Sequence, residues 1–236
     1  MKKVILPICL FITGLLVQVV AQAQTAEEII EKYIAAIGGA DNVRKINSMK
    51  VTGHVEVQGI EIPFDVAAVN GKGFRTDAEF QGNKIIDIVT PTKGWSQNPF
   101  AGKTSIQPLT DDELKEKLDE LDIQDAFVDY AAKGSTIESL GKDEEDGNEY
   151  FKIKLTTKNK NESVYYFDLK TNLIYKRESI MKQEGQEIKM TAKNFDYQFT
   201  EIGVKIPFKV DQGGMVMVYK TVTFNVPVDE KIFSDK

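Results

Sequence analysis

Cysteine and histidine each occur only once in the 236-residue chain, as Cys9 and His54. These counts exclude disulfide frameworks, zinc sites that need several cysteines and histidines, and any serine–histidine–aspartate triad that does not use His54. His54 alternates with apolar residues in a strand-like stretch, so we expect its side chain on the polar face of a sheet, with no evident partner. Neither residue indicates a catalytic or metal site.

Carboxylates are the remaining candidates for acid–base or metal chemistry. The acids at 111–113 follow a threonine, which is typical of a helix start, where negative charge complements the helix dipole. The acidic run 143–149 lacks the spacing of a calcium loop, so a solvated hairpin explains it better. An enzyme would need carboxylates such as Asp77 and Asp87 to converge in a pocket. Because the sequence contains no nucleotide-binding or hydrolase motif, we predict no enzyme, no catalytic residues, no metal and no cofactor.

The overall charge also narrows the possible functions. Acidic residues outnumber basic ones by 36 to 30, which gives a formal net charge of −6 at pH 7. Without a basic surplus to contact phosphates, nucleic-acid binding is not expected. Hydrophobic residues make up 42% of the chain, which is enough to bury a core, and the length suits one globular domain.

The first 23 residues have the pattern of a cleaved secretory signal. Lys2 and Lys3 precede an almost wholly apolar stretch, and Ala21-Gln22-Ala23 ends it with the small-x-small pattern that signal peptidase reads. A retained membrane anchor is the alternative for this segment. We expect cleavage after Ala23, export to the periplasm, and a single domain over residues 24–236.

The remaining chain has the pattern of a β-domain that begins with a helix. Residues 25–28 form a capping box, and isoleucines at helical spacing follow up to a glycine pair, which predicts an N-terminal helix. A short second helix is expected over 41–46. From Met49 the apolar period changes to two, and turn residues separate the later strands, which predicts an antiparallel meander. A second capping box at Thr110 begins a helical insert that we expect to continue to Gly134.

One continuous sheet is the simplest arrangement for these strands. No linker rich in proline, glycine or serine divides the chain after residue 24. A long meander must curve or close to bury its apolar face, so we predict a mainly β, α+β domain. Pro63 and Pro207 fall within strand patterns, and because proline cannot donate to a ladder, we expect both at sheet edges.

One block of sequence and the C-terminal end resemble a known family. Residues 73–103 contain GFRTDAEF, then KIIDIV, then GWSQNPF, and the chain ends in FNVPVDEKIF over 224–233. This succession is similar to that of the LolA/LolB-like outer-membrane lipoprotein carrier and sorting proteins, and the similarity extends diffusely over 25–233. The resemblance implies a strongly curved, unclosed antiparallel half-barrel of about eleven strands. It also implies that the N-terminal helix and the helical insert cover the concave apolar face.

The chain departs from this family at the position of an arginine that helps to hold the lid, the helical segment over the concave face. The family commonly has an Arg-Pro pair whose arginine helps to hold the lid, and this chain has Val-Asn-Gly-Lys-Gly at 69–73 instead. Lys72 and Arg75 are the candidates to replace that arginine, and the sequence assigns the role to neither.

The resemblance implies a non-enzymatic periplasmic carrier that binds lipid or lipoprotein acyl chains in an apolar groove during outer-membrane lipoprotein sorting. Its partners would be these acyl chains and inner- or outer-membrane sorting components, with no nucleic acid. The alternative is an envelope protein-interaction or sensor module with a filled core. The residues predicted to line the groove are Val55, Val57, Phe64, Phe74, Phe80, Ile86, Ile88, Trp95, Leu114, Leu118 and Phe127.

Overall fold

The computed structural model describes residues 24–183 and 186–235, so the predicted signal segment lies outside the described residues. The helices are α1 (Ala26–Ala36), α2 (Ala40–Arg44) and α3 (Asp111–Lys117), with short 3₁₀ turns at Pro99–Ala101, Leu118–Leu121 and Glu230–Ile232. The strands are β1 (Ser48–Val57), β2 (Ile60–Val69), β3 (Gly73–Phe80), β4 (Asn83–Val89), β5 (Gly94–Asn98), β6 (Lys103–Pro108), β7 (Thr136–Glu145), β8 (Asn148–Thr156), β9 (Glu162–Asp168), β10 (Ile174–Gln183), β11 (Gln186–Phe199), β12 (Lys205–Asp211) and β13 (Met215–Phe224). None of the helices in this described part is long and apolar enough to cross a membrane.

All the strands join one antiparallel sheet, in the order β6-β5-β4-β3-β2-β1-β13-β12-β11-β10-β9-β8-β7. Within the described residues β6 and β7 end this order without pairing with each other, so the sheet is not closed into a barrel. The prediction of a mainly β, curved antiparallel half-barrel with an N-terminal helix and a helical insert is confirmed. The sheet has thirteen strands rather than about eleven.

The strand register assigns side chains to two faces of the sheet. Val55 lies opposite Ile62 of β2 and Met217 of β13, and we call this face the inner face. His54 lies opposite Pro63 on the other face, which we call the outer face. Because side chains alternate along a strand and directly paired residues share a face, these two rows fix the faces of the neighbouring strands.

The core lies between α1 and the inner face of β8 and β9. The ring of Tyr33 makes edge-to-face contacts with Phe127 and Phe167, at centroid distances of 6.0 and 5.4 Å. Phe127 contacts Tyr165 in the same way at 4.8 Å. Burial of side chains of this size stabilises the fold by roughly 1.5–3 kcal/mol each. The same cluster includes Ile29, Ile30, Val43, Phe151, Ile153, Leu155 and Ile174.

Gly38 places the two N-terminal helices against the turn between β11 and β12. It has a φ of +105°, and a Cβ at this position would lie 2.0 Å from the carbonyl oxygen of Gly203, so glycine alone fits here. The amide of Lys205 donates to the carbonyl of Ile37 at 2.8 Å. This contact anchors the helical pair to the sheet.

Pro63 and Pro207 lie in central strands, so the expectation of edge positions is wrong. Pro63 pairs with His54 of β1, but the ladder between β2 and β3 begins only at Phe64. Pro207 pairs with Tyr197 of β11, and β12 has no ladder with β13 at this position. Each proline therefore lies where one neighbouring ladder has ended, and its missing N–H costs no ladder hydrogen bond.

The insert, residues 109–135 between β6 and β7, is helical over a shorter stretch than predicted. After α3 and the following 3₁₀ turn, its backbone is irregular. The carboxylate of Asp125 accepts a hydrogen bond from the backbone amide of Phe127 at 2.8 Å. Local side-chain-to-backbone bonds of this kind compete with helix formation. The prediction of a helix that continues to Gly134 is therefore wrong.

Candidate functional site

An apolar surface extends across the inner face of β13, β1, β2 and β3, and we call it the groove. Phe64 pairs with Gly53 of β1, and Phe74 pairs with Ala68 of β2, so the apolar rows of these strands are continuous. Phe64 is 6% exposed, whereas most other groove side chains are half-buried. Five of the predicted groove residues share this surface: Val55, Val57, Phe64, Phe74 and Phe80.

Three other predicted groove residues lie on the outer face. Ile86 pairs with Asp77, Ile88 pairs with Arg75, and Trp95 pairs with Ile88. Strand β4 reads Asn-Lys-Ile-Ile-Asp-Ile-Val, so both of its alternating rows contain isoleucine and the pattern does not select a face. The register corrects the prediction of a single groove, because it divides that set between two faces.

The three groove residues predicted in the insert have different surroundings. Leu114 and Leu118 are half-buried. Both are close in sequence to Lys117, which forms an ion pair with Asp87 on the inner face of β4. Phe127 is 1% exposed and belongs to the core cluster. Phe127 therefore belongs to the core, whereas Leu114 and Leu118 stay partly accessible.

One end of the insert is attached to the first part of the sheet by charged side chains. Lys117 lies 3.4 Å from a carboxylate oxygen of Asp87, which is on the inner face of β4. Lys103 of β6 donates to Glu113 at 2.7 Å. Both contacts place α3 over the inner face near the β6 edge.

The 3₁₀ turn that follows α3 is attached to the turn between β8 and β9. The carboxylate of Asp119 accepts hydrogen bonds from Thr157 at 2.8 Å, Asn159 at 2.6 Å and Asn161 at 2.7 Å. Asn161 also donates to the backbone carbonyl of Glu116 at 3.2 Å. The insert thus bridges the two ends of the open sheet. No sequence pattern predicts this bridge, because Asp119 and its partners are separated by about forty residues.

Comparison with solved structures places this architecture among known folds. A LolA superfamily protein of Nitrosomonas europaea superposes with a TM-score of 0.54 at 14% sequence identity, over 90% of this chain and 98% of that protein. The fold is LolA-like. No protein-family model matches the sequence, and no curated protein is similar to it in sequence.

Two further solved structures share the LolA-like fold. A putative outer membrane lipoprotein-sorting protein domain of Vibrio parahaemolyticus has a TM-score of 0.51 at 12% identity, over 87% of this chain and 94% of that domain. A DUF1329 family protein of Desulfovibrio piger has a TM-score of 0.55 at 10% identity, over 88% of this chain and 96% of that protein. At these identities the similarity is one of fold.

The two candidates for the lid-holding arginine contact a different segment of this LolA-like fold. Arg75 forms two hydrogen bonds with Asp77, both at 2.7 Å, and donates to the carbonyl of Ile232 at 2.9 Å. Lys72 donates to Glu230 at 2.6 Å. These basic residues therefore fasten the C-terminal segment to the sheet, while Asp87 and Asp119 fasten the insert.

Lys117, Glu120 and Asp87 form a small cluster of charged side chains between the insert and the sheet. Lys117 is 3.4 Å from Asp87 and 3.7 Å from Glu120. Burial lowers the pKa of Lys117, but the two carboxylates outweigh burial and hold this pKa above its usual value. Burial raises the pKa of Glu120, and Lys117 opposes that shift only in part. The contact between insert and sheet is thus partly desolvated.

Arg177 is a polar feature of the inner face that the sequence analysis missed. It pairs with Tyr165 of β9 and Ala192 of β11, and its side chain is exposed. Burial raises the pKa values of Tyr165 and Tyr219, and the positive charge of Arg177 lowers both. The described ion pairs of β10 involve Lys176 and Glu178 rather than Arg177. This guanidinium therefore adds positive charge beside the apolar groove.

Proposed function

We propose that this protein is an exported, non-enzymatic carrier that binds lipid or lipoprotein acyl chains in the groove. The observation that carries the proposal is the continuous apolar row across β13, β1, β2 and β3, most of which is only half-buried. Apolar rows that fill a core are normally buried completely. A partly exposed row on the concave side of an open sheet is suited to a guest with a large apolar surface.

Acyl chains suit such a surface for energetic reasons. Each methylene removed from water contributes about 0.8 kcal/mol, so ten methylenes contribute on the order of 8 kcal/mol before the cost of ordering the chain. This gain needs no precise polar site, which agrees with a groove formed mainly by aliphatic and aromatic side chains. Arg177 would favour an anionic head group at one side of the groove.

The first part of the insert supports the proposal because α3 lies over the inner face near the β6 edge and, with the following 3₁₀ turn, is held by polar contacts. Hydrogen bonds and ion pairs of Asp119 and Lys117 can be exchanged for water at modest cost, unlike a packed apolar contact. Opening of α3 and the following 3₁₀ turn, with Phe127 kept in the core, would admit a guest, and their closure would shield it. The fold shared with a putative lipoprotein-sorting domain supports placing this activity in the periplasm, with inner- or outer-membrane sorting components as partners.

A second candidate function is that of an envelope protein-interaction or sensor module. Two observations favour it. The part of the inner face under α1 is filled by the core cluster, and the rings of Phe100 and Phe199 are 58% and 61% exposed. Exposed aromatic rings are typical of surfaces that bind a partner protein. This function would leave the groove without lipid.

An acidic substitution within the groove tests the proposal. Val55→Asp introduces an uncompensated carboxylate among apolar side chains, which opposes acyl-chain binding. Ile180→Asp is the matched control, because Ile180 is on the outer face and 57% exposed. We expect Val55→Asp to weaken binding of a fluorescent 16-carbon fatty acid by about tenfold or more, and Ile180→Asp to leave it unchanged.

Circular dichroism and thermal unfolding of both variants verify that the fold persists. Equal fatty-acid binding by folded Val55→Asp and by the unsubstituted protein would show that the groove is not the binding surface. Binding by none of the three proteins would favour the protein-interaction function.

A further inference from the structure

The only imidazole of the chain faces two carboxylates on the outer face of the β1–β2 hairpin. Nε2 of His54 lies 3.2 Å from Oε1 of Glu56 and 4.0 Å from Oε1 of Glu61. One ligand atom from each of the three residues lies within 4.8 Å of the other two. The sequence placed His54 and Glu56 on one strand face, and the register adds Glu61 from the neighbouring strand.

The two carboxylates lie side by side on the outer face. Glu56 and Glu61 are directly paired across the ladder, and like charges in this position destabilise a sheet. Among the ion pairs of the described residues, both carboxylates contact His54 and neither contacts a lysine or arginine. The imidazole side chain is only 10% exposed, and its Nδ1 is buried without a hydrogen-bond partner in the described residues. The ring is therefore buried with Nε2 directed at the two carboxylates.

The distances suit shared coordination of one ion. Zinc ligands at about 2.0–2.2 Å with tetrahedral angles lie about 3.4 Å from one another. The two distances from Nε2, 3.2 and 4.0 Å, lie on either side of this value. The carboxylate side chains are 45% and 66% exposed. They border an open depression of about 310 Å³, which leaves room for an ion and its water ligands.

We propose that His54, Glu56 and Glu61 bind a divalent transition-metal ion of the zinc class. One imidazole nitrogen and two carboxylate oxygens form a mixed nitrogen and oxygen set that suits zinc better than calcium or magnesium, which take oxygen ligands. The ion would cancel the repulsion between the two glutamates and would join β1 to β2. This site lies on the outer face, so it is independent of the acyl-chain groove.

Zinc titration of the tag-free protein, expressed from its full-length gene, tests the site. The protein must carry no histidine tag. His54 is then the single histidine and gives the one imidazole signal in ¹⁵N NMR. With zinc chloride as the probe, we expect one ion per chain by calorimetry and a shift of the Nε2 resonance that saturates at the same ratio. An unchanged imidazole signal at a large excess of zinc would overturn the proposal.

Glu61→Gln provides the decisive variant, because Glu61 is largely exposed and its loss leaves the strand intact. Loss of a residue that only hydrogen-bonds to a metal ligand changes metal affinity by about 10–100-fold, so the loss of a ligand itself should weaken zinc binding by at least about tenfold. Glu79→Gln, an exposed position of β3, is the matched control and should bind zinc like the unsubstituted protein. Equal zinc affinity of Glu61→Gln and Glu79→Gln would contradict the assignment.

Discussion

Glu145 lies between Lys176 and Lys193 on the sheet, and its ion pairs contribute to the stability of the fold. Its carboxylate accepts hydrogen bonds from Lys176 and from Lys193, the latter at 3.1 Å. The ammonium group of Lys176 also lies 4.1 Å from the ring centroid of Tyr166. Lys176 is only 8% exposed, so these partners replace the water contacts that its side chain loses on burial. The hydrogen bonds from the two lysines hold the pKa of Glu145 below its usual value of 4.5.

The loss of stability caused by replacing this carboxylate should depend on pH. A group whose pKa is lower in the folded state stabilises the fold above its unfolded pKa, and this contribution is lost as the pH falls through the folded pKa. We expect Glu145→Gln to lower the free energy of unfolding by about 1 kcal/mol at pH 7. The difference should shrink as the pH falls below 4.5.

Urea unfolding at pH 7 and at successively lower pH values measures this effect. Glu149→Gln, an exposed position of the neighbouring strand, is the control and should show no such dependence. A deficit of Glu145→Gln that stays constant across the acidic range would exclude the ionic origin of the stabilisation.

At the scale of elements, local patterns predicted some features well and left others open. The two capping boxes at Thr25 and Thr110 begin α1 and α3 as expected, because both partners of each box are three residues apart. Strand β4 could not be assigned a face, since isoleucine occupies both of its rows. The irregular backbone after α3 was also missed, because aspartates that bind nearby amides resemble ordinary polar helix positions.

The insert is the element whose attachment can be tested directly. Asp119→Ala removes the acceptor of three hydrogen bonds to the turn after β8. Hydrogen bonds to a charged group contribute about 1.5–3 kcal/mol each, so local opening should become more frequent by about tenfold or more. We expect faster hydrogen–deuterium exchange in α3 and the following 3₁₀ turn, with unchanged exchange in β1.

Lys115→Ala is the control for this experiment, because Lys115 lies on the same helix and is exposed. It should leave exchange in the insert almost unchanged. If Asp119→Ala also leaves it unchanged, the insert is held by its other contacts and not by the bridge to the β8–β9 turn.

At the scale of the whole molecule, the fold was more predictable than the site. The change of period from helix to strand and the regular turn signals predict an antiparallel meander, and the resemblance of 73–103 adds its curvature. Five of the predicted groove residues share one face, because β1 to β3 alternate between apolar and polar residues. Arg177 and Asp119 were missed, since their importance depends on neighbours that only the folded sheet brings together.

Mass spectrometry of co-purified molecules shows whether the groove binds acyl chains. The protein would be isolated from the periplasm without detergent, and its lipid content would be measured by native mass spectrometry and solvent extraction. We predict about one acyl-chain lipid per protein, with a preference for anionic head groups because of Arg177. An extract without lipid, together with no uptake of added phospholipid, would contradict the account of the groove as a lipid carrier.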